Sequence, residues 1–471
     1  MKAALHTGVR PWRLLIVGAI AILIWEMPPP GGVTPQAWHL FALFAGTIAA
    51  ILSGALPTLT ASLLALSLSM LTRVLTPAQA LAGFSQDFLL LIVAAFLVSR
   101  SVVRSGLGER IALFIIRTIG GSPLGLAYSV ILTDALIAPA FPSNTARSGV
   151  LFPILQGLCD ENGSRPHDES RLKLGRFLMM TGIASIGISS ALWMTAMVSN
   201  PAGAALAGTQ GVRISFGSWV LASSVPSLAA LLIIPWLLFK LTKPGLRSTP
   251  EAPRAAALAL KSKGRLNRDE WIAAGTFMLM IAGWMLADSL GFNRAAVAVL
   301  GLAVLMGAGV YPLREISREG EALAVWLWFG ILYALSAALN EAGFMGWAAK
   351  GFAGFMEGWS APAVYLALIL VYVLMHYFFV SQTAHLLALY SVFLAAGIRA
   401  GLPPALTAYM LLFASNYFSA LTPQGSSANV LYAGSGFLTT GELYRYGGAV
   451  TAAAMIIYLA VGTPWILLLF G

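Results

Sequence analysis

Charged residues are scarce in this sequence. They make up 10% of its 471 residues, while hydrophobic residues make up 58%. A soluble domain carries about 25% charged and about 45–50% apolar residues. A chain with so little charge cannot present a water-compatible surface, so an ordinary soluble protein is excluded. The composition predicts an all-α polytopic membrane protein, because helices satisfy their own backbone hydrogen bonds within lipid.

Several motifs of enzyme chemistry are missing as well. No Gly-Lys dipeptide occurs, which excludes the lysine of a Walker A loop and hence an ATP-driven pump within this chain. No His-Glu-x-x-His sequence occurs, and five histidines with one cysteine, Cys159, give neither a metal-ligand cluster nor an intramolecular disulfide. The acids Asp87, Asp134 and Glu341 are scattered without paired spacing. We expect no catalytic residue, no metal and no cofactor.

Long apolar runs recur along the whole length instead. At about 20 residues per crossing, the chain has room for roughly ten to twelve spans. The first run follows three basic residues but no small-residue cleavage site follows it, so it predicts a transmembrane helix and not a signal peptide. Tryptophans inside later runs, such as Trp326 and Trp328, are predicted to pack or to anchor at the membrane interface. The runs are 14–25, 38–56, 88–98, 219–239, 271–286, 364–380 and 449–470.

The excess of positive charge is concentrated in one segment. Eight basic residues lie from Lys240 to Arg268, where Glu251 is the only acid. Positive residues beside spans mark the cytoplasmic side, so this loop and the N-terminus are predicted to face the cytoplasm of an inner membrane. The formal net charge of +10 therefore indicates topology and not a nucleic-acid partner. We divide the chain into a first repeat (1–240), a basic linker (241–268) and a second repeat (269–471).

Two short patterns recur in the same order on both sides of this linker. Residues 142–147 read Pro-Ser-Asn-Thr-Ala-Arg, and residues 380–385 read Val-Ser-Gln-Thr-Ala-His. Ser-Ala-Leu at 190–192 is followed by seven residues and then Asn200, and the same spacing joins 419–421 to Asn429. Repeats with interrupted hydrophobic segments mark the binding site of many secondary transporters. We favour inverted repeats over parallel ones.

The first pattern predicts the polar tip of a re-entrant hairpin. It lies between apolar helices at 128–140 and 149–158, with three prolines that break regular structure. Short hydroxyl and amide side chains cap helix N-termini and leave N–H groups free to bind a carboxylate. The predicted tip residues are Ser143, Asn144, Thr145, Ser381, Gln382 and Thr383.

Arg147 and His385 follow the two tips at the same offset. A cation at hydrocarbon depth is costly unless it faces a polar cavity or an anion, so both are candidate binding residues. An alternative for Arg147, which can coexist with binding, is an ion pair with Asp134, 13 residues earlier. Helix N-termini carry about half a positive charge each, so Arg147 could neutralise the rest of a dianion without sodium.

The interrupted segments at 195–201 and 422–429 are predicted to complete the pocket. Proline with small hydroxyl residues unwinds a span and exposes backbone dipoles to a cavity. An ordinary surface loop is less favoured, because apolar runs flank both segments closely. The candidates here are Ser199, Asn200, Thr422 and Pro423.

Four stretches in order resemble the divalent anion/sodium symporter family, in its branch of 2-oxoglutarate/malate translocators and citrate or tartrate/succinate antiporters. They are 105–112, 142–147, 328–330 with 339–340, and 376–379 leading into 381–385. The resemblance implies about eleven spans and two hairpins in an inverted repeat. It also implies an elevator-type secondary transporter that works as a homodimer, with the tips and unwound loops holding carboxylates. Two departures concern substrate choice: Gln382 replaces asparagine, and Thr-Pro-Gln-Gly-Ser-Ser at 422–427 replaces the usual Thr-His-Tyr-Gly-Thr.

We predict a sodium-independent exchanger of small dicarboxylates across the inner membrane, with the anion and the lipid bilayer as its partners. The first alternative is sodium-coupled uptake of the same anions. An integral-membrane enzyme or a channel is disfavoured, because the sequence offers no catalytic constellation and because two hairpins imply an occluded site.

Overall fold

A computed structural model describes residues 9–471, and within that range it contains helices and no strand. Twenty of the described helices have eight or more residues. In the first half they are α1 (Pro11–Glu26), α2 (Pro35–Leu52), α3 (Thr58–Leu71), α4 (Asp87–Ser105), α5 (Leu107–Ile119), α6 (Pro123–Ile137), α7 (Asn144–Glu161), α8 (Gly175–Leu192), α9 (Ser199–Gly208) and α10 (Phe216–Thr242). In the second half they are α11 (Glu251–Lys263), α12 (Arg268–Met285), α13 (Arg294–Gly307), α14 (Gly320–Glu341), α15 (Phe344–Gly354), α16 (Ala361–Met375), α17 (Gln382–Arg399), α18 (Pro404–Tyr417), α19 (Thr440–Ile457) and α20 (Thr463–Phe470).

Eight described segments are long and apolar enough to cross a membrane, judged by length and composition. Two of them, Pro123–Ala140 and Ala361–Phe378, are the first arms of the predicted hairpins. The helices α3 and α13 are apolar but shorter. The all-helical prediction is confirmed, and the count of about eleven spans stays a prediction. The eight segments are Pro35–Leu52, Asp87–Ser105, Pro123–Ala140, Gly175–Leu192, Phe216–Thr242, Gly320–Glu341, Ala361–Phe378 and Thr440–Phe470.

The order of elements from α4 to α9 recurs from α14 onward. A long helix is followed by a short one, which begins after a left-handed glycine in both halves: Gly106 (φ 79°) before α5 and Gly343 (φ 80°) before α15. Glycine adopts this conformation without steric cost. Next come two helices joined by a tight turn, α6–α7 and α16–α17, and then a helix that breaks and resumes.

Both hairpin turns form in the same way. The first arm ends in a single 3-10 turn, Ala138–Ala140 in one half and His376–Phe378 in the other. The chain then extends, and a serine hydroxyl caps the second arm: Ser143 accepts from the N–H of Ala146, and Ser381 accepts from the N–H of Ala384. Serine is favoured at this position because it satisfies an N–H that the helix cannot.

The breaking helices α8 and α18 lie at the centre of the molecule and pack against each other. All but one residue of α8 are buried. Small residues allow the close approach: a Cβ on Gly187 of α8 would lie 2.9 Å from the Ser419 hydroxyl, and one on Gly203 of α9 would lie 2.2 Å from a Leu412 methyl of α18. The helix α9 packs on α17 of the other half. This crossed packing brings the two hairpin turns together.

The basic linker forms the helix α11, which packs on α5 at one end of the molecule. Ion pairs hold this end together: Lys263 Nζ lies 2.9 Å from a Glu109 carboxylate oxygen, and Arg110 Nε lies 2.8 Å from a Glu270 carboxylate oxygen. We call it the linker end. The C-terminal half of α4 runs towards it, because α5 follows α4 directly.

Candidate binding site

A cavity of about 250 Å³ lies between the two hairpin tips. The tips and the interrupted segments form one side of it, and the long helices α4 and α14 form the other. Its lining residues are Phe96, Pro142, Ser143, Asn144, Thr145, Met197, Val198, Glu321, Ala324, Val325, Trp328, Val380, Ser381, Gln382, Thr383, Ser426 and Ser427. The structure therefore brings all six predicted tip residues to one cavity, although they lie in opposite halves of the sequence.

An amide bridge joins the two tips. The amide nitrogen of Asn144 donates to the side-chain oxygen of Gln382 over 2.8 Å. The Gln382 nitrogen donates in turn to the backbone oxygens of Ser415 (3.0 Å) and Asn416 (3.2 Å). The extra methylene of glutamine lengthens the side chain so that it contacts α18 and the opposite tip at once. The departure at position 382 thus has a structural consequence.

A second link across the cavity connects hydroxyl groups. The side-chain oxygens of Thr145 and Ser427 lie 2.7 Å apart. Ser427 and its neighbour Ser426 belong to the predicted interrupted segment at 422–429, but the sequence reasoning selected Thr422 and Pro423 within it. Neither of those two lines the cavity. The signal that could have found the serines is the run of hydroxyl residues itself.

Arg147 is fully buried and does not line the cavity. Its guanidinium nitrogen lies 3.2 Å from an Asp134 carboxylate oxygen, which is the pair considered from the sequence. It also donates to the hydroxyls of Ser189 and Ser190 and, over 2.7 Å, to the side-chain oxygen of Asn144. Because that oxygen is engaged by Arg147, the amide nitrogen of Asn144 is directed towards the other tip. Arg147 orients a cavity residue and does not face the cavity itself.

His385 is also fully buried and does not line the cavity. Aromatic rings surround it, with centroids 4.5 Å away for Tyr372, 4.6 Å for Phe418 and 4.8 Å for Phe379. Neither ring nitrogen has a hydrogen-bond partner within residues 9–471. The position that carries a hydrogen-bonded cation in the first half therefore carries a packed ring in the second.

Asn200 and its counterpart Asn429 bind backbone at the two breaks. Asn200 donates to the carbonyl oxygens of Ser190 (2.9 Å) and Trp193 (3.3 Å). Asn429 donates to the carbonyl oxygens ten and seven residues before it, at 2.8 and 3.0 Å. These carbonyls lie where α8 and the 3-10 extension of α18 end, where helices leave carbonyl groups without a helical partner. The carbonyls of Trp193 and Thr422 also accept from the N–H groups of Ala196 and Gly425 in the turns that follow. Asn200 thus stabilises the break in the helix and does not line the cavity.

Ser199 and Thr422 are buried, and in the described part of the chain their hydroxyls have no hydrogen-bond partner and do not line the cavity. Two further lining residues, besides Ser426 and Ser427, were missed in the sequence. Trp328 was predicted to pack or anchor, and Glu321 was not considered. The available signal was an acid in the first turn of an otherwise apolar helix, since Glu321 is the second residue of α14.

The site offers donors suited to an anion with two carboxylates. The N-termini of α7 and α17 meet at the cavity, and each brings unpaired N–H groups and about half a positive charge. Hydroxyl groups of both tips and of the 426–427 segment surround them. No group of three or more His, Cys, Asp or Glu side chains that could hold a metal ion occurs in residues 9–471.

Comparison with known proteins gives a consistent result. The family model described as the sodium:sulfate symporter transmembrane region matches residues 9–471. A putative malate transporter, YflS, of Bacillus subtilis is 37% identical and covers 98% of this chain and 97% of its own. Dicarboxylate transporter 2 of spinach chloroplasts is 37% identical over 98% of this chain and 82% of its own. The citrate/succinate antiporter of Escherichia coli K12 is 30% identical over 96% and 97%.

Solved structures share the fold at low sequence identity. The YdaH transporter of Alcanivorax borkumensis matches with a TM-score of 0.57 at 15% identity, over 97% of each chain. MtrF of Neisseria gonorrhoeae matches with a TM-score of 0.60 at 14% identity, over 96% of this chain and 98% of its own. The full-length family match and the identities above show that the chain is a membrane transporter, not an enzyme, and that it belongs to the sodium:sulfate symporter family, the divalent anion/sodium symporters.

Proposed function

We propose that this protein exchanges small di- or tricarboxylates, such as 2-oxoglutarate, malate, succinate, tartrate or citrate, across the inner membrane. The observation that carries the proposal is the meeting of two capped helix N-termini and six hydroxyl or amide side chains at one cavity. Relatives named as dicarboxylate transporters, as a putative malate transporter and as a citrate/succinate antiporter support the substrate class.

In this proposal the tip residues bind the carboxylates directly. Ser143, Asn144 and Thr145 contact one end of the anion and Ser381, Gln382 and Thr383 the other, with Ser426 and Ser427 completing the shell. Arg147 and Asn200 act as positioning residues. Arg147 bonds the side-chain oxygen of Asn144, and Asn200 bonds backbone carbonyls of the break beside the cavity. Ser199, His385, Thr422 and Pro423 are proposed to contribute by shaping the breaks and the second tip.

We propose exchange without sodium. The hydrogen bonds that Asn200 and Asn429 make to backbone carbonyls at the two helix breaks support it. Carbonyl oxygens of unwound helices are the usual sodium ligands of such transporters. Here the carbonyls of Ser190, Trp193, Ser419 and Thr422 already accept hydrogen bonds from the amides of Asn200 and Asn429. Sodium would have to compete with these bonds. Sodium-coupled uptake is the alternative, and the sodium symporters that define the family favour it.

The mechanism and topology belong to the same proposal. The hairpin tips and the interrupted segments line one side of the cavity, and α4 with α14 lines the other, which suits an elevator movement of one group against the other. The recurring element order supports two inverted repeats, 1–240 and 269–471, joined by a cytoplasmic linker at 241–268. We further propose about eleven spans, a cytoplasmic N-terminus and a homodimer.

Counterflow in proteoliposomes tests the function. Radiolabelled succinate, malate or 2-oxoglutarate should enter only when unlabelled dicarboxylate is inside, and equally fast in sodium and choline buffers. Accumulation that needs external sodium and no internal substrate would favour the symporter. Absence of counterflow with every di- and tricarboxylate would contradict the substrate class.

Asn144→Ala should weaken substrate binding while leaving the fold intact. It removes a donor from the cavity, and a hydrogen bond to a charged ligand is worth about 1.5–3 kcal/mol, or about 10- to 150-fold in affinity. The matched control is Asn162→Ala, just beyond the far end of the same helix, where the amide donates to the Leu158 carbonyl oxygen. Equal KM values for succinate in both variants would remove Asn144 from the site.

A further inference from the structure

The cavity proposed to bind a dianion contains an acid. Among its lining residues in the part of the chain that the structure describes, Glu321 is the one with a charged side chain. A carboxylate at this place repels an approaching anion unless its charge is compensated. The compensating partner is Arg100, whose terminal nitrogen donates to Glu321 over 2.7 Å.

Arg100 lies directly behind the cavity wall. Its guanidinium carbon is 5.1 Å from the ring centroid of Phe96, which lines the cavity one turn earlier on α4. Its Nε lies 3.2 Å from a Glu319 carboxylate oxygen but makes no hydrogen bond within residues 9–471. The guanidinium thus contacts two residues of the cavity wall, Phe96 and Glu321, and keeps Glu319 as a second counter-charge.

The contact between Arg100 and Glu321 is one in which a substrate carboxylate can replace Glu321. The Glu321 side chain is 53% exposed, so it can turn away without being desolvated. Exposed ion pairs contribute little to stability because water screens them. A guanidinium binds carboxylates through two parallel N–H groups, and a substrate carboxylate presents the same group as Glu321.

We propose that Arg100 is a docking residue for one substrate carboxylate, and that Glu321 occupies its guanidinium when the cavity is empty. The inference rests on the proposed function. An incoming dianion takes the place of Glu321, passes Phe96 and continues to the tips. Since Arg100 lies on the half of α4 that runs towards the linker end, docking serves substrate arriving from that end and not from the opposite one.

A neighbouring pair provides the matched control. One turn further along α4, a guanidinium nitrogen of Arg104 lies 3.2 Å from a Glu315 carboxylate oxygen, so this ion pair joins α4 to the residues just before α14. Neither residue lines the cavity. Removing either arginine breaks an ion pair between α4 and residues 315–321, but removing Arg100 alone should affect the substrate.

Initial exchange rates in inside-out and right-side-out membrane vesicles test the docking role. We expect Arg100→Gln to raise KM about tenfold for succinate arriving at the linker end, the loss of one hydrogen bond to a charged group. KM at the opposite end and the maximal rate should stay within about twofold, as expected for an exposed pair whose loss leaves the tips intact. Glu321→Gln should lower KM at the linker end, because it removes the competitor. Equal effects of Arg100→Gln and Arg104→Gln would overturn the proposal.

A second measurement does not depend on transport. Cys159 is fully buried, so a thiol introduced by Glu321→Cys is the accessible one. We would measure how fast this thiol reacts with a negatively charged and with a positively charged methanethiosulfonate. The ratio of the first rate to the second should be several-fold higher in Glu321→Cys than in Glu321→Cys/Arg100→Gln. Unchanged relative rates would overturn the docking role. If the preference is present but the unmodified protein exchanges no dicarboxylate, the proposed function fails and anion docking at Arg100 stands.

Discussion

The two halves differ in how they bury the equivalent side chains at positions 147 and 385. In both, a residue two places after the tip threonine must be buried behind the cavity. The first half uses Arg147 with Asp134 and serine hydroxyls around it. The second uses His385 inside a box of aromatic rings. One tip is therefore held by a charge network and the other by packing.

The difference follows from the hydrogen-bond partners that each tip amide can reach. Asn144 is short, and its oxygen is held by Arg147 and by the Ser190 hydroxyl at 2.9 Å. Gln382 is longer and reaches the carbonyl oxygens of α18 directly, so it needs no cation behind it. We infer that the first tip depends on its charges and that the second tolerates change at the equivalent position. Three predictions test this comparison.

Asp134→Ala should have the largest effect. It leaves Arg147 buried without its counter-charge, and breaking a buried ion pair in this way costs about 3–5 kcal/mol. The melting temperature of the purified protein in detergent should fall strongly.

The control for this prediction replaces both charges at once. Asp134→Leu with Arg147→Met should recover much of the melting temperature, because apolar replacement of a buried pair is often neutral. Exchange should stay low, since Asn144 loses the partner that orients it. A single Asp134→Ala variant as stable as the parent protein would contradict the role of the network.

Asn200→Ala and Asn429→Ala should have intermediate and unequal effects. Each removes two hydrogen bonds to backbone carbonyl oxygens at a break, but Asn200 also accepts a hydrogen bond from the Asn416 amide at 2.9 Å. With about 1 kcal/mol for each lost bond, we expect about 3 kcal/mol for Asn200→Ala and about 2 kcal/mol for Asn429→Ala. Thermal unfolding of both, compared with Asn162→Ala, measures the difference. The reverse order would show that the breaks are not stabilised as their hydrogen bonds indicate.

His385→Phe should have the smallest effect, below about 1.5 kcal/mol, because it keeps an aromatic ring in an aromatic environment and removes two buried nitrogens that have no hydrogen-bond partner within residues 9–471. The control is His376→Phe. His376 Nε2 lies 2.8 Å from the Gly425 carbonyl oxygen, so its loss should cost about 1 kcal/mol more. If His385→Phe abolishes exchange while the melting temperature is unchanged, the imidazole has a chemical role that packing does not explain.

Much of the fold could be predicted from the sequence, because the signals are local. Apolar runs predict helices, serine at 143 and 381 predicts where the second arms begin, and the proline-rich turns predict the tips. The spacing of ten residues between Ser190 and Asn200, repeated in the second half, marked both breaks. It did so because an amide at that distance reaches the carbonyls that the ending helix leaves unpaired. The role assigned to Asn200, direct substrate contact, remains a hypothesis that its observed position does not support.

The members of the site could be predicted less well, because a side chain's direction depends on its neighbours. Arg147 and His385 share a position in the repeat, yet neither faces the cavity, since Asp134 and an aromatic box offer each a partner elsewhere. Glu321 and Arg100 carry no motif, and they are 221 residues apart. Only the packing of α4 beside α14 brings them to the cavity.

The sequence by itself determined the helical class, the repeated order of elements and the two polar tips, because composition, capping and chain breaks act over a few residues. The tertiary structure alone decided which polar groups face the cavity. A buried polar atom bonds whichever partner the packing places within reach, and the crossed packing of α8, α9, α17 and α18 joins residues that the sequence separates by more than 200 positions.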